Sequence, residues 1–415
     1  KKLTNELCLS NIDLVSGGPP CQSFSMAGLR DHNNARNTLP MEFVEFVAHV
    51  RPKIALLENV SGILRAFNLP DGKHFAWFEV AKAFASKGYY PLCLHVNAKY
   101  ASAAQNRPRF IMIAMREDVF RSLIELTNEG VINQSLLEIS RFYTNEINRV
   151  ETQPFIDLNY YDIEKCVDFF STSLFQSLKK CSSKELYTVH EAIDDLRENN
   201  ANKIESRYTR LLKRTFPQRK FNGVKHKSSN NGELRRNGTK VQMRFKLYQY
   251  LAAAKSSEDL AFIEREILKF LQDPVENWIS DDALNFLLQK RFLTDDGKTF
   301  IDLKNRGELE KYLSRLVTKK HSQRALLPHK PAPATLSIPD DACHYHEDLL
   351  RTLTVRELAR FQSFPDWFEF RSKVTTGGQM RRSEVPQYTQ VGNAVPPLLG
   401  VALGEVILAI LSTVS

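Results

Sequence analysis

Residues 13–116 alternate between short apolar runs and longer amphipathic ones, and this alternation restricts the fold more than any other feature of the chain. The runs "IDLVS", "KIALLENV", "PLCLHV" and "FIMIAMR" have the length and composition of buried strands. Between them, "LPMEFVEFVAHV" and "FAWFEVAKAFASKG" carry apolar residues at helical spacing, and Gly88 closes the second. Strands alternating with helices predict an α/β domain, a parallel sheet with helices on its faces. In such a sheet a site belongs beyond the carboxyl ends of the strands.

From Asp118 to Leu327 the alternation stops, and Asn, Ser, Lys and Arg with interspersed aromatics take over. The predicted organisation is a catalytic α/β domain over 1–118, a second domain over 119–330, and a return segment over 331–415 that packs back on the first. Between Ser206 and Lys246 the only acid is Glu233, against a long series of lysines and arginines. That imbalance, in a chain of net charge +9, suits a polyanion. The stretch "KSSNNGELRRNGTK" reads as a loop whose Asn side chains, with Arg235, Arg236 and Lys240, reach base edges. Past the linker "LPHKPAPATLSIPDD", helical periodicity returns in "TVRELARFQSFPDWF". Thr354 with Glu357, and Thr188 with Glu191, have capping-box spacing.

The six cysteines, at 8, 21, 93, 166, 181 and 343, form no CxxC pair and no Cys/His cluster of zinc spacing. They predict no metal site and a reducing, cytoplasmic setting. The longest apolar run, Pro396 to Val414, is broken by Glu405 and barely reaches the roughly 20 residues a membrane span needs, so no span is expected.

The chemistry concentrates in four places. "DLVSGGPPCQSFS" ends a strand on two glycines and two prolines, which turn and stiffen the chain just before Cys21. A thiol on such a corner is placed to act as a nucleophile. "ALLENV" puts Glu58 and Asn59 at the end of the neighbouring strand, on the same sheet edge if the two strands are parallel. "QNRPRF" sets Arg107 and Arg109 two apart, projecting to one side. "QVGNAVPPLL" brings an Asn amide and backbone groups to a turn before a helix.

These blocks, in this order, resemble the DNA (cytosine-5)-methyltransferases of the prokaryotic type. "GGPPCQSFS", "ENV", "QNRPRF", "RTLTVRELARFQSFPDWFEF" and "QVGNAVPP" match that family's nucleophile, glutamate, arginine, post-recognition and closing motifs. "FSMAGLRDHNNARNTL" is similar to its mobile active-site segment. The resemblance implies a Rossmann-like, S-adenosylmethionine-dependent sheet with a separate, largely irregular target recognition domain. It implies that a cytosine flipped out of double-stranded DNA is attacked at C6 by Cys21, while Glu58 holds N3 and the exocyclic amine. Arg109, with Arg107 beside it, would bond the base carbonyl or support Glu58. Pro20, Asn393, Ala394 and Val395 correspond to cofactor-lining positions, and Gln22 and Ser23 join Arg235, Arg236 and Lys240 as DNA contacts. A restriction-modification role is the expected setting.

The chain departs from the family in two places. "YASAAQNRPRF" lacks the usual Gly and Pro before the arginine motif. "KKLTNELCLSN" shows neither the glycine-rich cofactor loop nor the acids that follow it, and neither appears after Val395. The expectation is an incomplete sheet, a fragment or a split enzyme whose cofactor motifs lie on a second polypeptide, so that this chain alone binds S-adenosylmethionine poorly. The competing reading is a DNA-binding subunit without catalysis of its own. A thiol hydrolase would need His32 or His49 as base, and neither has a setting that suggests pairing.

Overall fold

The computed structural model describes residues 11–19, 39–69, 72–148, 158–197, 204–218, 231–255, 260–320, 323–334, 342–376 and 384–414. The chain divides into two compact units, the first made of 1–102, 107–184 and 398–415, the second of 103–106 and 185–397. The first unit therefore runs on to Lys184, beyond the composition change at 118.

In the first unit, β1 (Leu14–Gly17), β2 (Ile54–Val60), β3 (Tyr89–Asn97), β4 (Pro108–Arg116) and β5 (Tyr160–Asp162) make one sheet in the order β1-β2-β4-β3-β5. β1 and β2 are parallel, with Leu14 opposite Ile54 and Gly17 opposite Leu57. The wholly parallel sheet read from the sequence is corrected here: β4 runs antiparallel to both β2 and β3. The segment between β3 and β4 is a hairpin-like return without a crossover helix, so β4 must reverse direction. β3 and β4 are buried on both faces, which is why they read as near-continuous apolar runs.

Two helices cover the sheet as their periodicity predicts. α1 (Leu39–Val50) buries Val44, Val47 and Val50; α2 (Ala76–Ser86) buries Trp77, Val80, Ala81, Phe84 and Ala85. Gly88 follows α2 at φ +83°, a left-handed angle that glycine takes without strain. A Cβ on Gly17 would lie 2.5 Å from Phe43 of α1, so the strand meets that helix closely only because the side chain is missing. Further along are α3 (Glu117–Leu126) and α4 (Gly130–Asn148), where Tyr143 and Phe120 both stack on Tyr90.

The second unit is helical where an irregular domain was expected. It contains α5 (Val189–Ile193), α6 (Arg207–Thr215), α7 (Thr239–Lys255), α8 (Ala261–Phe270) and α9 (Asp281–Leu288). A hairpin of β6 (Arg291–Leu293) and β7 (Phe300–Asp302) follows, then α10 (Arg306–Ser314), α11 (Val355–Phe361) and α12 (Gln387–Asn393). α7 to α10 enclose a core that includes Phe245, Tyr248, Ile267, Phe292 and Leu313. Both capping boxes form: the Thr188 and Thr354 hydroxyls accept from the backbone of Glu191 and Glu357, whose carboxylates reach back.

α13 (Pro397–Val414) is long and apolar enough to cross a membrane. It instead buries Leu399, Ala402, Val406 and Ile410 in the protein, and Lys180 pairs with Glu405 at 2.7 Å. The described cysteines, Cys93, Cys166, Cys181 and Cys343, are all free.

Candidate active site

The site in the first unit starts from strand register. β2 and β4 pair antiparallel with Glu58 opposite Ile111 and Val60 opposite Arg109, so Glu58 and Arg109 are diagonal neighbours. Their side chains meet as an ion pair, Arg109 Nε 2.7 Å from Glu58 Oε1. Arg109 also donates from Nη1 to the Pro108 carbonyl at 2.8 Å. Arg107, 3% exposed, is held by its backbone: its N–H donates to Asn97 Oδ1 at 3.0 Å and its carbonyl accepts from Ala98 N at 3.1 Å.

Burial dominates the electrostatics. It raises the Glu58 carboxyl above its ordinary range, although Arg109 and, less strongly, Arg107 pull the other way. It lowers Arg109 despite Glu58, and burial together with the like charge of Arg109 brings Arg107 down to about 9. Desolvation penalises each charge more than the pairing repays. The result is a carboxyl that holds a proton more readily than a surface glutamate while two cations stand beside it.

The glycine-proline corner arrives at the same carboxyl. Because β1 is parallel to β2 and Gly17 is opposite Leu57, the chain leaves β1 alongside Glu58. A Cβ on Gly18 would stand 3.2 Å from Glu58 Oε2, a contact tighter than side chains normally make. Asn59 Nδ2 donates to the Pro19 carbonyl at 3.1 Å, and its Oδ1 accepts from Val60 N at 2.9 Å. Asn59 thus ties the corner to β2, a role the sequence left unassigned although its place inside "ENV" was the available signal. Pro20, Cys21, Gln22 and Ser23 lie outside the described residues.

The remaining candidates are in the second unit. Asn393 ends α12 and is exposed; Ala394 N donates back to the Val391 carbonyl at 3.3 Å, and Ala394 and Val395 are half-buried. As a test of fit to S-adenosylmethionine, these three offer an amide, backbone groups and a helix C-terminus, chemistry suited to an uncharged polar edge. They contain no carboxylate, so they fit only part of that group. Arg236 and Lys240 are exposed and Arg235 is half-buried. Asn231, expected to reach bases, is committed internally: Nδ2 donates to the Phe370 carbonyl at 2.9 Å and to Gln387 Oε1 at 3.0 Å. Among the described residues no group of three or more His, Cys, Asp or Glu side chains is arranged to hold a metal.

Known proteins similar to this chain are DNA methyltransferases. The chain is 26% identical over 401 residues to the type II methyltransferase M.DdeI of Desulfomicrobium norvegicum, covering 96% of this chain and 73% of that protein. It is 26% identical over 424 residues to the type II methyltransferase M.AgeI of Thalassovita gelatinovora, covering 98% and 86%. A stretch of 136 residues, 33% of this chain and 42% of the relative, is 37% identical to the type II methyltransferase M.HindV of Haemophilus influenzae. The family model for C-5 cytosine-specific DNA methylases matches residues 1–409, a span that takes in the buried Glu58–Arg109 pair and the corner beside it; the chain belongs to that family of DNA cytosine methyltransferases.

Proposed function

We propose that this chain methylates carbon 5 of cytosine within a specific sequence of double-stranded DNA, through a covalent adduct of Cys21 with a base flipped out of the duplex. Flipping is needed because C5 and C6 are inaccessible inside the stack. The Cys21 thiolate adds to C6, and the electron pair displaced from the ring is accepted as Glu58 delivers its proton to N3. Arg109 holds the Glu58 carboxyl at the base edge, and Arg107 adds positive charge beside the base carbonyl. The ring then has a nucleophilic carbon at C5. S-adenosylmethionine, the methyl donor of this chemistry, would supply an electrophilic methyl group for C5, and Asn393, Ala394, Val395 and Pro20 are the residues that would hold its polar edge. Loss of the C5 proton to water as the C6–sulfur bond breaks, with the N3 proton returning to Glu58, restores aromaticity and frees Cys21.

The observation that carries this reading is the buried Glu58, its carboxyl raised above its ordinary range by burial, flanked by Arg109 and Arg107 at the strand end where the glycine-proline corner passes. The basic stretch between Ser206 and Lys246 supports residues 119–330 as the DNA-recognising region, with Gln22, Ser23, Arg235, Arg236 and Lys240 as contacts and 331–415 as the return segment. The type II relatives support a restriction-modification role in the cytoplasm.

The test is trapping on duplex DNA carrying 5-fluorocytosine, with S-adenosylmethionine and any partner polypeptide added. Methyl transfer then cannot be followed by loss of a C5 proton, so the chain should remain covalently attached through Cys21. Absence of adduct under those conditions, with DNA binding retained, would leave the alternative of a DNA-binding subunit.

A further inference from the structure

Residues 231–238 have no helix or strand, yet both ends of the segment are anchored within the second unit. Asn231 is the first anchor. Besides its two Nδ2 donations, its Oδ1 accepts from Phe370 N at 3.0 Å and from Arg356 Nη2 at 3.3 Å, and its backbone carbonyl accepts from Arg356 N at 2.9 Å. Its φ of +35° is a left-handed angle that Asn tolerates better than most residues. Arg356 is itself 4% exposed, its guanidinium spent on the carbonyls of Pro365 and Phe368 as well. The second anchor is Asn237, whose Oδ1 accepts from Thr352 N at 3.2 Å, immediately before α7 begins at Thr239. Between the anchors, Glu233, Leu234 and Arg236 are exposed.

That combination is unusual for a passive loop. A side-chain amide that satisfies four polar groups at once specifies a backbone path, which a solvated linker does not need. The exposed side chains also span the chemistry of base recognition: a carboxylate accepts from cytosine N4, an apolar side chain packs on a thymine methyl, and a guanidinium forks onto guanine O6 and N7. A preset backbone loses little freedom on binding, so these contacts convert more fully into affinity.

We propose that residues 231–238 are a preorganised strap that reads the target sequence, with Glu233, Leu234 and Arg236 touching base edges and Asn231 and Asn237 as positioning residues. This rests on the DNA reading above and names the residues that give it sequence preference. Arg235 and Lys240 serve phosphates, which carry no sequence information.

The experiment starts from selection of bound duplexes from a randomised pool by the unaltered chain, with any partner polypeptide present. The ratio of dissociation constants for a scrambled and the selected duplex is then measured for variants. Arg236→Ala and Leu234→Ala should each lower that ratio about tenfold and relax the preference at one base position. Asn231→Ala should lower it at several positions together, and Asn231→Asp, which keeps both acceptor contacts, should restore part of it. A thermal midpoint measured on each variant separates a lost strap from a lost fold. If Asn231→Ala fails to fold, Arg236→Ala and Leu234→Ala decide alone, because neither side chain is buried. Ratios unchanged in both would overturn the proposal while leaving the DNA reading intact; a pool that yields no enriched sequence from the unaltered chain would reject both.

Discussion

Glu58 and Arg109 sit diagonally across the β2–β4 ladder with Nε and Oε1 2.7 Å apart, yet the carboxyl keeps its proton to higher pH than an unpaired glutamate. The pair adds little to stability, since an ion pair buried this far recovers only part of its desolvation.

The raised Glu58 pKa has a defined sign in folding. The folded state binds the proton more tightly than the unfolded one, so its stabilisation is fully present below the ordinary value of 4.5 and is lost as pH rises through the folded value. Glu58→Gln has no such titration. Its urea-derived stability relative to the unaltered chain should climb from acid to neutral pH, while adduct formation on 5-fluorocytosine DNA drops by on the order of 10²–10⁴. Parallel stability curves for the two chains would contradict the raised value.

Removing Arg109 leaves a desolvated carboxylate facing Arg107 alone. Arg109→Ala should cost about 3–5 kcal/mol in urea denaturation at neutral pH. It should also drive the Glu58 carboxyl further up, because the largest opposing influence is gone. Much of the loss should return in the Glu58→Gln/Arg109→Ala double variant, and full additivity of the two changes would show that the residues do not interact.

Asn59 should matter to the rate through position. Asn59→Ala breaks the 3.1 Å bond to the Pro19 carbonyl, releasing the corner that precedes Cys21. The expected result is adduct formation slowed by about tenfold, matching roughly 1 kcal/mol for one hydrogen bond. DNA affinity should stay nearly unchanged. A rate equal to that of the unaltered chain would mean the corner is fixed by other contacts.

His344 gives the second unit a separate pH dependence. It is fully buried, its Nδ1 accepts from His346 N at 3.0 Å, and its Nε2 stands 3.7 Å from Glu357 Oε1. Burial outweighs the pull of Glu357, and with Arg351, His346 and Arg197 also disfavouring the cation, lowers its pKa to about 4. Because the unfolded imidazole protonates first, this contribution is present above 6.5 and is lost as pH falls toward 4, by roughly 3 kcal/mol. Stability measured against pH should be flatter over that window in His344→Asn, and equal slopes would refute a neutral buried imidazole.

Features that depend on neighbours in the chain were legible from residue order. The strands and helices of residues 13–116 follow from period and length, and both capping boxes follow from a Thr and a Glu three apart. The motif blocks around Glu58, Arg107 and Arg109 were equally plain. The helices of the second unit were not. In α7 the buried residues Met243, Phe245, Leu247, Tyr248, Leu251 and Ala254 spread over more than half of the circumference and Arg244 falls among them, so no clean apolar stripe marks the helix.

Sequence by itself determined the strands and helices of residues 13–116 and both capping boxes, because period, capping and turn chemistry act over a few residues. Tertiary structure alone decided that β4 runs against β2, since a buried apolar run looks the same in either direction. It also decided that Asn231 turns inward and that burial raises the Glu58 carboxyl above its ordinary range. Strand direction, partner choice and solvent exclusion are set by groups far apart in the chain, and a pattern of near neighbours has no way to encode them.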